Sequence, residues 1–183
     1  MAIIDPYTST AQKIEVQANS SNSSVENAVE ALGGKRNLYA LGPNVGYVTL
    51  AVGGGTVTYK LEGTGGQEGR VGWLSYAGET NIDPVDLTNS GEYNAFRVEV
   101  LEQTGSITVQ IDAIDADGRS DSVAQLPNSK PELPLVYYFR EFITEGNGDT
   151  VNFSQIVGVQ IEFDMHDQET GQLQLGPLET ARL

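Results

Sequence analysis

Apolar and polar residues alternate along most of this chain. Lys13-Ile14-Glu15-Val16-Gln17 alternates cleanly, and so does Val157-Gly158-Val159-Gln160-Ile161-Glu162-Phe163-Asp164. The two best alternating runs are Ala95–Leu101 and Ser106–Ile114. A period of two puts successive side chains on opposite faces of a strand, one face buried and the other wet. Further strands are predicted at 36–41, 47–52, 56–61, 70–76, 120–126, 135–139 and 173–178. Gly53-Gly54-Gly55 between two of them predicts a tight hairpin.

Turn signals separate these runs: Gly42-Pro43-Asn44, Gly63–Gly66, Asp115-Ala116-Asp117-Gly118 and Asn147-Gly148-Asp149. Residues 81–92 and the Pro-rich stretch 127–134 read as longer connections. Asn19–Ser24 is polar and of low complexity, and Val25–Leu32 reads as a short helical turn ended by Gly33-Gly34. No longer helix is expected. Roughly nine to eleven short strands with regular turns predict an all-β protein, an antiparallel β-sandwich of jelly-roll type. It is expected to be one domain over 1–183, with 1–18 an N-terminal strand segment and 19–32 a polar loop and short helical turn.

Composition adds exclusions. The chain has 183 residues, no Cys, one His, and 25 acidic against 10 basic residues, a net charge of −15. Disulfides, thiolate metal sites and cysteine nucleophiles are ruled out. Any imidazole-based triad would have to use His166. So acidic a surface repels phosphate backbones and anionic membranes, so neither nucleic acid nor direct membrane insertion is expected. No apolar run approaches the roughly 18–20 residues of a membrane span. Met1–Tyr7 shows no signal-peptide pattern.

A series of short elements carries a family likeness. Ile4-Asp5-Pro6-Tyr7, Leu32-Gly33-Gly34-Lys35-Arg36-Asn37-Leu38 and Leu74-Ser75-Tyr76-Ala77-Gly78 come first. Val85-Asp86-Leu87-Thr88, Asn94-Ala95-Phe96, Phe139-Arg140-Glu141-Phe142 and Asn152–Ile161 follow in order. Together they resemble the jelly-roll domains of secreted bacterial, often cyanobacterial, surface proteins that carry a Pro-Glu-Pro C-terminal sorting tail. That tail is not visible in this chain. The resemblance implies a jelly roll and an extracellular or cell-surface location, and names no activity. It also implies that Tyr76 points inward, leaving Trp73 outside.

Four kinds of chemistry have candidates. Asp115-x-Asp117-Gly118-x-x-Asp121 clusters hard oxygen donors suited to Ca²⁺. It also reads as a plain Asp-Gly hairpin turn, and its fifth and twelfth positions, Arg119 and Leu126, break an EF-hand pattern. A second structural Ca²⁺ site would use Asp5 with Asp164 or Asp167. Carbohydrate packs its C–H face on an exposed ring. Trp73 is the chosen ligand-binding candidate, ahead of Tyr47, Tyr59, Tyr76 and Tyr93. For glycoside hydrolysis, Glu99, Glu162 and Asp164 are the strand carboxylates available, but on alternating strands they read as a solvated side. Finally, the segment before the Asn/Ser loop is a candidate exchanged strand for self-association.

The expectation is therefore a non-enzymatic structural or adhesive surface protein that forms a homo-oligomer or surface polymer through edge strands. The alternative is a carbohydrate-binding module with a polysaccharide partner, and the third reading is a glycan-active enzyme. The only cofactor entertained is a structural Ca²⁺.

Overall fold

The structure is a computed structural model describing residues 2–8, 11–28, 30–64, 67–73, 83–127, 133–143, 149–165 and 170–183; the side chains of 2, 67, 68 and 70–73 lie outside that description. Two antiparallel sheets pack face to face. The first contains β1 (Ala2–Asp5), β2 (Gln12–Gln17), β5 (Val45–Gly53), β6 (Thr56–Thr64), β8 (Ala95–Thr104), β11 (Leu135–Tyr138) and β13 (Thr170–Ala181). Its order is β11-β8-β13-β6-β5-β2, with β1 also paired to β13. The second contains β3 (Ser21–Asn27), β4 (Lys35–Leu41), β7 (Gln67–Trp73), β9 (Thr108–Asp115), β10 (Ser120–Gln125) and β12 (Ile156–Met165), in the order β10-β9-β12-β7-β4-β3. The chain passes repeatedly between the sheets, which is the weave of a jelly roll.

The alternation seen in the sequence is what stacks the layers. Val48, Leu50 and Val52 of β5, Val57, Tyr59 and Leu61 of β6, and Val159, Ile161 and Phe163 of β12 all point between the sheets and are buried. Tyr59 stacks on Phe163 across the layers at 5.4 Å between centroids. At one end, Phe96, Phe139, Phe142 and Phe153 form an aromatic cluster. The predicted Gly hairpin closes at the pair Gly53↔Thr56. Gly54 and Gly55 have φ of 62° and 84°, the left-handed pair that a two-residue turn matched to strand twist requires.

Two expectations are corrected. Residues 19–32 are not a polar loop and helical turn. Ser21–Asn27 forms β3, paired in regular register with β4, and only Leu32–Gly34 makes a single 3-10 turn. Strand pairing needs only main-chain N–H and C=O groups, so an edge strand can be polar on both faces and show no apolar period. The closing strand is also longer than the predicted 173–178. It spans Thr170–Ala181, with register shifts on either side of Leu175 as it pairs with β8. Within one chain, the N-terminal segment pairs twice: β1 with β13 and β2 with β5.

Candidate functional site

Each sheet has an outer face, turned away from the core. In an antiparallel ladder, directly opposed residues share a face. One row across the second sheet therefore runs Asn37–Gly72–Gln160–Asp112–Ser122, and the next runs Tyr39–Arg70–Glu162–Gln110–Ala124. Their neighbours on β4, β12 and β9 (Leu38, Ile161, Ile111) face the core and are buried, which fixes these rows as outward.

An outward side chain on a strand is normally wet, yet Gln160 is only 4 % exposed. It stands on β12, third from the β10 edge and fourth from the β3 edge, where neighbouring side chains cover it. Its position is locked. Gln160 Nε2 donates to Asp112 Oδ2 at 2.9 Å, and Gln110 Nε2 donates to Asp112 Oδ1 at 2.8 Å. On the far side of the same row, Asn37 Oδ1 is buried and accepts no hydrogen bond among the described residues. Gly72 stands between Asn37 and Gln160 and contributes no side chain, so β7 offers bare main chain there. The two amides are two strand spacings apart, about 10 Å. Tyr39, Glu162 and Gln110, all half-buried, continue the polar floor.

The outer face of the first sheet is built differently. It presents Tyr47, Thr49, Thr58, Lys60, Glu62, Gln172 and Gln174, all half-buried. Lys60 and the Tyr47 hydroxyl both hydrogen-bond Glu62, and these contacts, Lys60 first, hold its carboxyl below the usual carboxylate range.

The structure separates the candidate calcium ligands. Asp5 lies wholly buried between the sheets, where Arg36 donates to both its oxygens. Asp164 sits on the outer face of the second sheet, opposite Thr108, so it does not meet Asp5. Asp115 is buried and receives four N–H donors. Oδ1 accepts from the main chain of Asp117 and Arg119, each at 3.0 Å; Oδ2 accepts from Arg119 Nε and Asn152 N, each at 2.8 Å. Asp117 is brought close but pairs with Arg119. Asp121 is on β10 opposite Ala113. Among the described residues, no group of three or more His, Asp or Glu side chains converges on a metal position. The Asp115 loop is thus a hairpin turn organised around a carboxylate, with Arg119 as its cation.

Of the aromatic candidates, Tyr59 is core, Tyr47 is on the outer face of the first sheet, and Tyr93 is half-buried in the loop before β8. Trp73 ends β7 at a register position opposite Arg36 and Val159; its side chain, Tyr76, His166 and Asp167 lie outside the described residues. Glu162 and Asp164 share one face as expected, whereas Glu99 lies on the other sheet and pairs with Arg97. Sequence reasoning missed Asn37, Tyr39, Gln110, Asp112 and Gln160. For Gln110, Asp112 and Gln160 the signal was the polar parity of β9 and β12; Asn37 and Tyr39 on β4 reach the face only through strand order.

No family model and no curated protein matches this chain. Solved structures with a similar architecture do exist. The family 11 carbohydrate-binding module of the cellulosomal cellulase Lic26A-Cel5E of Clostridium thermocellum superposes with a TM-score of 0.47 at 11 % identity, covering 99 % of this chain and 94 % of that one. The xyloglucanase domain of NopAA, a type three effector from Sinorhizobium fredii, gives 0.46 at 10 % identity, over 93 % and 99 %. TmCBM61, in complex with β-1,4-galactotriose, gives 0.37 at 10 % identity, over 91 % of each chain.

Proposed function

We propose that this protein is a non-catalytic carbohydrate-binding β-sandwich that holds a polysaccharide along the outer face of its second sheet. The observation that carries the reading is the buried Gln160, 4 % exposed on an outward-facing row and fixed to Asp112. A sugar presents many hydroxyls, each donor and acceptor, so it favours rigid carboxylates and amides whose ordering cost is already met. The Asp112–Gln160–Gln110 set is such an array, and the buried Asn37 Oδ1 is an acceptor suited to a hydroxyl donor. Tyr39 on the next row supplies a ring against which a C–H face could pack. This reading places the ligand on amides, carboxylates and Tyr39 rather than on Trp73. The role belongs outside the cell, in line with the resemblance to secreted surface domains.

A glycan array followed by calorimetry tests it. The wild-type protein is expected to bind at least one neutral or mixed-linkage polysaccharide, and Asp112→Ala to lose about tenfold or more in affinity. Binding by Asp112→Ala at full strength would refute the site.

A second reading, a structural or adhesive component that self-associates, draws on β3. This seven-residue edge strand carries one charged residue and exposes Val25 at 53 %. It has neither Lys nor Pro, the residues that commonly close an edge. Light scattering on wild type and Val25→Lys tests this: a concentration-dependent mass abolished by the lysine supports it, and a monomer at every concentration removes it.

A further inference from the structure

At one end of the sandwich, four loops border an open cavity whose lining includes Thr88, Arg119, Phe139, Arg140, Asn152 and Ser154. The molecule carries 25 acidic and 10 basic residues, yet among the described residues two arginines and no carboxylate line this cavity. The walls are tied together. Leu87 N donates to the Phe153 carbonyl and Ala116 N to the Gln155 carbonyl, both at 2.9 Å, and Phe139 stacks on Phe153 at 4.0 Å. Arg119 is braced from behind by Asp115 and Asp117, which fix its orientation and offset its charge. Arg140 differs. Its guanidinium rests on the Tyr138 ring, 4.6 Å from the centroid, and makes no ion pair among the described residues. Asn152 Oδ1 is used by the Ser154 main chain and hydroxyl, while its Nδ2 donates to no described residue.

Arg140, a guanidinium held on a ring with no ion pair among the described residues, and the Asn152 amide donor stand in one cavity with Arg119, whose own charge its two aspartates already meet. We propose that this end cavity binds an oxyanion, a carboxylate or a sulfate, with Arg140 as its principal charge and Arg119 and Asn152 beside it. The site is independent of the outer face of the second sheet.

The test is an NMR titration of the ¹⁵N-labelled full chain at constant ionic strength, which removes differences in general screening. The probes are sodium sulfate, trigalacturonate and neutral galactotriose. Saturable shifts of the Arg140 Nε–H and the Arg119, Asn152 and Ser154 amides are expected with sulfate, trigalacturonate or both, and not with galactotriose. Tighter binding of trigalacturonate would mean an oxyanion read on a sugar; tighter binding of sulfate would mean a free anion. Arg140→Gln should weaken either by about tenfold or more. Arg140 is exposed, so the variant should melt as wild type does, and melting is measured alongside. No saturable shift with either anion, or equal affinity in Arg140→Gln, would overturn the proposal. Shifts caused by galactotriose on the second sheet report on the other site alone.

Discussion

Arg36 donates from Nε to Asp5 Oδ2 at 2.6 Å and from Nη2 to Asp5 Oδ1 at 2.8 Å, and both side chains are wholly buried. The pair joins β1 of the first sheet to β4 of the second. The Tyr7 main chain donates to the same carboxylate at 2.8 Å, the Tyr7 ring lies 5.7 Å from the guanidinium carbon, and Glu30 approaches Arg36 Nη2 at 3.6 Å. Within the chain, the N-terminal strand is thereby clasped to the core.

A buried pair is costly to break and cheap to replace. Arg36→Met should destabilise by about 3–5 kcal/mol, because Asp5 is left charged and buried. The double variant Asp5→Leu/Arg36→Met should recover most of that loss. Urea denaturation of the three proteins measures both; equal loss in the single and double variants would show that packing, not charge, dominates.

Asp115 predicts a pH response. Burial pushes its carboxyl up, but the N–H groups of Asn152 and Arg119 and the Arg119 guanidinium outweigh that and hold it below the ordinary aspartate range. The folded pKa therefore lies below the unfolded value of about 3.9. Its stabilisation is present above that value and is lost as pH falls through the folded pKa. Asp115→Asn should be less stable than wild type at neutral pH, by about 1–3 kcal/mol, and the difference should shrink below about pH 4. Because the Asp115 oxygens already accept four N–H groups, melting should be the same in Ca²⁺ and in chelator. A rise with Ca²⁺ would support the calcium reading of Asp115, Asp117 and Asp121.

Gly46 and Gly63 face each other in the β5–β6 ladder with φ of 98° and 147°. A Cβ on Gly46 would lie 1.8 Å from the Glu62 carbonyl oxygen, and one on Gly63 would lie 1.7 Å from that of Val45. Gly46→Ala should cost about 2 kcal/mol or more. Gly54→Asn, at a turn position with φ of 62° and open space around it, should be nearly neutral. Thermal melts of the two variants check the contrast.

Much of the sandwich was legible because period two is a local signal. β5, β6, β8, β9 and β12 show it, and their turns carry the glycines the geometry requires. β3 was not legible, since Ser21–Asn27 pairs through main chain alone and buries neither face. Arg36 left a trace: it shares parity with Leu38 and Ala40, so an inward charge was implied. Its partner Asp5 is 31 residues away and could not be read locally. The binding face was half-legible. Gln160, Glu162 and Asp164 showed as one polar side, but the burial of Gln160 depends on side chains from neighbouring strands, which no local pattern records. Tyr39 and Asn37 join that face only through the order β12-β7-β4.

The most direct measurement of the central claim is a chemical-shift map of the labelled protein with the best glycan from the array. Perturbed residues should cluster on Asn37, Tyr39, Gln110, Asp112, Gln160 and Glu162, with Tyr47, Thr58, Lys60 and Gln174 unmoved. Shifts confined to the first sheet, or none with any glycan bound by the array, would contradict it.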